Sequence, residues 1–292
     1  MERITEQERR ESVRRESIAQ LRQLKDEVPD FTVAFLNTKG AAATTTTAVH
    51  TASVVGDITR SVLLLLDANP ASGTSAARLG KDRGETLTVG GLNDEFEMMN
   101  TFKRFIRKIS PTRYSVRPVS SDSVVTDDRD LESMEMSKLL GGLQANSEYL
   151  FVDTANVITN KTSLAVVSAA DVLVFTANVA VHDSLRQLGT TMETLRRRGF
   201  VDKVNNSVVV ISNLPPGADL DDYRKFQHDV NLRDKVTKEY PGHIGSFMSV
   251  PYDLLITRDQ EVDLGALNWE TFQAYLEIGI AIFSQAKLLA HG

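Results

Sequence analysis

The residues best suited to chemistry lie just after the first strongly apolar run. FTVAFLN (31–37) gives way to Thr38-Lys39-Gly40-Ala41-Ala42-Ala43-Thr44-Thr45-Thr46-Thr47, a turn of small residues with one cation and a run of hydroxyls. A loop that cradles phosphate uses glycines so that backbone N–H groups can close on it. It also needs a lysine to neutralise charge, and a Ser or Thr hydroxyl for Mg²⁺. Lys39, Gly40 and the threonines meet part of that requirement. Asp67 and Asp153 end the apolar runs SVLLLLD (61–67) and EYLFVD (148–153), where capping of the turns that follow is a common role for Asp. Lys39 reads either as a phosphate ligand or as a solvated loop lysine.

Positioning such residues requires a scaffold, and the chain alternates short apolar runs with helix-compatible stretches. The runs at 31–37 and 61–67 are β-rich and nearly continuous, as strands buried on both faces of a parallel sheet are. YSVRPVS (114–120), EYLFVD (148–153), DVLVFTA (171–177), NSVVVIS (206–212) and GSFMSVP (245–251) continue the series. Helices are expected from the Thr-rich turn onward, over Asp94 to Arg107, from His182 to Arg198 and from Trp269 to Leu289. The acidic stretch 122–132 reads as a loop entering a helix. The alternation predicts an α/β fold with a doubly wound, mostly parallel sheet, whose ligands sit beyond the carboxyl ends of the strands. Residues 1–29 are densely charged and turn apolar only late, at Val13, Ile18, Leu21, Leu24 and Val28. They predict a helical extension, its second half packed and its first half solvated, ahead of one domain over 30–292.

The loop resembles the deviant Walker A sequence of the ParA/MinD family of P-loop ATPases, Lys-Gly-Gly-x-Gly-Lys-Thr-Thr. Lys39 and Gly40 match its signature lysine and first glycine, and Thr45 and Thr46 match its threonine pair. Asp67-Ala68-Asn69-Pro70 is similar to the family's switch segment, and Asp153 to its Walker B aspartate. Asn213 and Val250-Pro251-Tyr252-Asp253 fall where the family has its adenine-side residues, and Asn213 reads equally as a turn residue before Pro215-Pro216-Gly217. The resemblance covers roughly residues 30–288 and is strongest to an actinobacterial MinD-like branch, some members of which accompany specialised secretion or conjugation loci. It implies ATP or ADP with Mg²⁺ as the ligand, cradled by residues 39–46, with Thr45, Asp67 and Asp153 around the metal. It also implies that Lys39 and Asp67 carry the catalytic positions, in vestigial form.

The departures decide what is expected of that site. Ala41 and Ala43 stand where the family has glycine, and Thr44 where it has its loop lysine. Losing a charge-assisted hydrogen bond typically costs about 1.5–3 kcal/mol. The loss is larger still where charge develops in a transition state. ATP hydrolysis is therefore expected to be lost or very weak, with nucleotide binding left open. The chain then reads as a partner-binding or regulatory module of a partition, secretion or conjugation system. The alternative is an active ATPase whose ATP-dependent homodimer positions DNA or protein cargo.

Composition narrows the partners. With 33 basic and 39 acidic residues the net charge is −6, and the tight basic run is Arg196-Arg197-Arg198 with Lys203 nearby. Nonspecific DNA binding needs several clustered cations, so no DNA association is expected at physiological salt. The final helix has Lys287 as its one basic residue, too few for a membrane-surface helix, and no run is long enough to span a bilayer. Absence of cysteine fits a reducing compartment, and no apolar leader is visible, so a cytoplasmic protein is expected. The histidines are scattered, with no metal-ligand spacing.

Overall fold

The structure is a computed structural model, and it describes residues 5–37, 43–68, 78, 87–88, 116–120, 133–154, 161–178, 184–214, 246–257 and 262–291. Among the described residues, eight strands form one parallel sheet in the order β3-β4-β2-β5-β1-β6-β7-β8. They are β1 (Phe31–Leu36), β2 (Leu63–Ala68), β3 (Leu87–Thr88), β4 (Val116–Ser120), β5 (Tyr149–Thr154), β6 (Val172–Asn178), β7 (Val208–Leu214) and β8 (Ser246–Pro251). The described helices are α1 (Glu6–Glu27), α2 (Thr44–Thr59), α3 (Ser133–Gln144), α4 (Lys161–Ala169), α5 (Ser184–Arg197), α6 (Val201–Asn205), α7 (Leu254–Thr257) and α8 (Trp269–His291). The doubly wound parallel sheet expected from the sequence is present. The short β3 and the helices α4, α6 and α7 were not anticipated, and the helix expected over 94–107 lies outside the described residues.

Strand β1 sits at the centre, paired in parallel with β5 on one edge and β6 on the other. Its side chains alternate between two cores, as strand geometry requires. Phe31, Val33 and Phe35 face a core shared with α1, α2 and α8, whereas Ala34 and Leu36 face one shared with α3, α4 and α5. Since β5 and β2 lie to one side of β1 and β6 to the other, the chain reverses its winding here. That is the topological switch point at which open α/β sheets bind ligands.

The N-terminal helix is more firmly docked than its charge suggested. Thr5 and Glu8 form a reciprocal capping box at its start. Arg10 reaches Glu270 at 3.0 Å and lies over Trp269, and the Arg14 guanidinium lies 3.8 Å from the centre of the Phe272 ring. The first half, expected to be solvated, thus packs along α8 through arginine stems and cation–π contacts. Periodicity of apolar residues could not reveal this, because the packing residues are charged. Further along, Leu21 and Leu24 are buried, and Lys287 meets Glu27 at 2.7 Å. Arg22 and Lys25 donate to the carbonyls of Ile58 and Thr59, where cations suit the end of α2.

Helices α2 and α8 approach closely at Gly279, where a Cβ would stand 2.8 Å from Val55 Cγ2. Replacing Gly279 by Ala should destabilise the fold by about 1–3 kcal/mol through overpacking. The same change at Gly141 in α3, where nothing lies within 4 Å of the added carbon, should instead stabilise by up to about 1 kcal/mol. Denaturant unfolding of the two variants checks the contrast.

Candidate functional site

The site is built where β1 runs into α2. Helix α2 begins after Ala43, which has φ 61° and ψ 26° and supplies no side-chain cap. A Cβ in this left-handed conformation costs roughly 1–2 kcal/mol, which glycine avoids. The Ala43 carbonyl accepts from both the backbone N–H and the hydroxyl of Thr47, each at 2.8 Å, and so starts the helix. Lys39, Gly40, Ala41 and Ala42 lie outside the described residues.

Thr44 occupies the position that the sequence resemblance assigns to the loop lysine, and its side chain turns inward. It is 3% exposed. Asn37 Nδ2 donates to Thr44 Oγ1, which lies 2.7 Å from Thr176 Oγ1. Thr176 Oγ1 in turn donates to the Leu36 carbonyl at 3.3 Å. The donors and acceptors order themselves as Asn37 N–H to Thr44, Thr44 O–H to Thr176, and Thr176 O–H to the backbone of β1. This chain ties the first residue of α2 to the ends of β1 and β6. Neither Asn37, just past the end of β1, nor Thr176, within β6, was assigned a role from the sequence.

Asp67 and Asp153 are register partners at the ends of β2 and β5, and both are 1% exposed. Adjacent parallel strands are about 4.8 Å apart, so the two carboxylate-bearing residues stand side by side. Thr45 is half-buried in the first turn of α2, and its hydroxyl is an oxygen donor of the kind Mg²⁺ takes. In chemistry these donors, two carboxylates and a hydroxyl, fit the metal.

The residues expected on the adenine side divide. Pro251 is buried and Tyr252 is 40% exposed. Asp253 is buried, its Oδ1 accepting from Leu255 N–H at 2.9 Å and its Oδ2 from Asn268 N–H at 3.2 Å. Its carboxylate thus caps α7 and holds the segment leading into α8. Asn213 lies within β7.

Beneath the first turn of α2 lies a polar group not foreseen from the sequence. Arg78 Nη1 donates to Thr46 Oγ1 at 2.7 Å. His50 Nδ1 lies 2.9 Å from the Thr46 carbonyl, and the imidazole stacks on Tyr275. Burial pushes the His50 pKa down to about 4, with the Arg78 charge adding to the effect and the Thr46 carbonyl and Asp253 opposing it. The basic run near the end of α5 is partly engaged elsewhere. Arg197 pairs with Glu193, Arg196 donates to Asn205, and Lys203 donates to the carbonyls of Val167, Ser168 and Ala170.

The central parallel sheet, with its switch point at β1 and α2 beyond it, has the fold of the solved ParA/MinD ATPases. No protein-family profile matches the chain. Solved structures with the same fold include a ParA family ATPase from Chlorobium tepidum (TM-score 0.60, 14% identity, 90% of this chain and 100% of that one). MinD of the Aquifex aeolicus MinC:MinD complex superposes with TM-score 0.62 at 14% identity over 90% of this chain and 96% of that one. Pyrococcus horikoshii MinD, solved with Mg-ADP, superposes with TM-score 0.59 at 12% identity over 85% of this chain and 94% of that one. In sequence the chain is similar to the ESX-1 secretion-associated protein EspI of Mycobacterium tuberculosis, 23% identical over 249 residues and 83% of this chain. It spans only 37% of the length of that relative. Among the described residues no helix is long and apolar enough to cross a membrane.

Two outcomes follow from this geometry. Ala43→Gly should raise stability by about 1 kcal/mol, read by denaturant unfolding. His50 has a folded pKa of about 4 against 6.5 unfolded, so the unfolded chain binds more protons between those values. Stability should therefore fall as pH drops from 6.5 towards 4, and His50→Gln should flatten that part of the melting-temperature profile.

Proposed function

We propose that this chain is a ParA/MinD-like nucleotide-fold protein with lost or very weak ATP hydrolysis, acting as a partner-binding or regulatory module. The observation that carries the reading is Thr44, buried and hydrogen-bonded to Asn37 and Thr176 where the family's loop has its lysine. A threonine bonded into the loop carries no charge to set against a transferring phosphoryl group. The ligand class remains ATP or ADP with Mg²⁺, around Thr45, Asp67, Asp153 and the loop backbone, at reduced affinity. The catalytic positions, Lys39 and Asp67, are vestigial.

Of the systems that such proteins serve, specialised secretion is favoured by the similarity to EspI, whose name associates it with ESX-1 secretion. The partner is then a protein, as MinC is for the Aquifex MinD. Residues 1–29 form a helical extension of the domain over 30–292, and any homodimer is indifferent to nucleotide. DNA is not a partner at physiological salt: the chain is acidic, and Lys203 and Arg197 have acceptors within the fold. The final helix lacks the basic face a membrane surface would need, and the protein acts in the cytoplasm. An active ATPase is the second reading, supported by the paired buried carboxylates Asp67 and Asp153.

ATP turnover, measured with and without Mg²⁺, should be indistinguishable from that of Asp67→Ala. Steady turnover that disappears in Asp67→Ala would favour the active ATPase instead.

A further inference from the structure

Helix α1 divides into two halves by what each half touches. The second half joins the main core through Ile18, Leu21 and Leu24, and its Arg22 and Lys25 donate to carbonyls at the end of α2. Among the described residues, no apolar side chain of the first half belongs to either core. That half meets α8 through arginines instead. Arg10 reaches Glu270 at 3.0 Å and lies 5.3 Å from the centre of the Trp269 ring, and the Arg14 guanidinium covers Phe272. A partly exposed ion pair and two cation–π contacts hold less firmly than buried leucines do.

Two further observations separate the halves. The first half carries its own helix-forming interactions: Thr5 and Glu8 cap its start, and the pairs Glu6–Arg10, Gln7–Glu11 and Ser12–Glu16, at 3.1, 3.2 and 3.0 Å, each span one turn. Local pairs of this spacing support a helix without tertiary contact. The α8 residues that Arg10 and Ser17 touch are also incompletely paired. Gln273 Nε2 donates to Ser17 at 2.9 Å, but Gln273 Oε1 and Trp269 Nε1 are buried without a partner. An unpaired buried donor or acceptor carries a desolvation penalty, so these residues gain less from being covered than a fully paired set would.

We propose that residues 6–16 of α1 form a strap, which undocks from α8 as one helical unit while Ile18, Leu21 and Leu24 stay packed. Undocking uncovers an aromatic face on α8 at Trp269 and Phe272. The retained half of α1 keeps its hold on the end of α2, so the helix after the phosphate loop stays in place. The device does not depend on whether nucleotide binds.

Native-state hydrogen exchange on the full chain tests the proposal, with Trp269, the single tryptophan, giving one indole N–H signal by NMR. Amides from Arg9 to Glu16 and the indole N–H should exchange at one common level, roughly tenfold or more faster than the amides of Leu21 and Leu24. Low denaturant should barely change the faster rates, because undocking exposes little surface. Replacing Arg10 and Arg14 together by Ala should speed exchange of the strap and the indole by roughly tenfold again, with Leu21, Leu24 and the unfolding midpoint nearly unchanged. Arg10→Lys with Arg14→Lys should recover part of the protection. Exchange of residues 9–16 in step with Leu21 and Leu24 would show one cooperative helix and overturn the proposal. Protection that grades inward from Thr5 while the indole N–H stays with the core would show end fraying, and would overturn it equally.

Discussion

Strand β1 is hydrogen-bonded along both edges and buried on both faces, and α2 begins a few residues beyond its carboxyl end, at Thr44. Thr44 is placed by that junction. In ParA/MinD-like loops the turn closes on a nucleotide, with a lysine contributing the charge. Here it is fastened by neutral hydrogen bonds, from Asn37 through Thr44 and Thr176 to the backbone of β1. Buried polar groups need partners, and this chain of bonds satisfies Thr44 within the protein rather than through a ligand. Ala43 is held in a left-handed conformation that glycine would adopt without strain.

Helix α2 is gripped at both ends. At its C-terminus Arg22 and Lys25 of α1 donate to the last carbonyls, and Arg60 ends the helix in a left-handed turn. At its N-terminus Arg78 holds Thr46, and His50 one turn later bonds the Thr46 carbonyl and stacks on Tyr275 of α8. The tight contact at Gly279 brings α8 against the middle of α2, and α1 lies along α8. Helices α1 and α8 thus brace α2.

Much of the fold was legible because the strands are short, apolar and buried on both faces. The runs at 31–37, 61–67, 148–153, 171–177, 206–212 and 245–251 correspond to β1, β2, β5, β6, β7 and β8 within a residue or two. The two-residue β3 carries no periodic signal, and the four-residue α7 is made by Asp253 capping rather than by propensity. Docking of the first half of α1 was hidden because arginines, not leucines, make the contact. At the site, Thr44, Asp67 and Asp153 could be read from the order of motifs along the chain, and the last two do meet across neighbouring strands. Arg78 and Thr176 could not, because their importance depends on which strand ends and which segments converge on α2. That convergence is a property of the sheet order, and no local pattern encodes it.

Thermal unfolding of Thr44→Lys, with and without Mg–ATP, tests most directly whether this loop is built around a threonine. Putting an ammonium into the Thr44 position removes two hydrogen bonds and leaves Asn37 and Thr176 short of partners in a buried site. The variant should melt about 5 °C or more below the wild-type chain, with no added stabilisation by Mg–ATP and no turnover. A Thr44→Lys chain that melts at or above the wild-type temperature, is stabilised further by Mg–ATP and hydrolyses it would show that the position still accepts the lysine of a working phosphate loop, and would contradict this account.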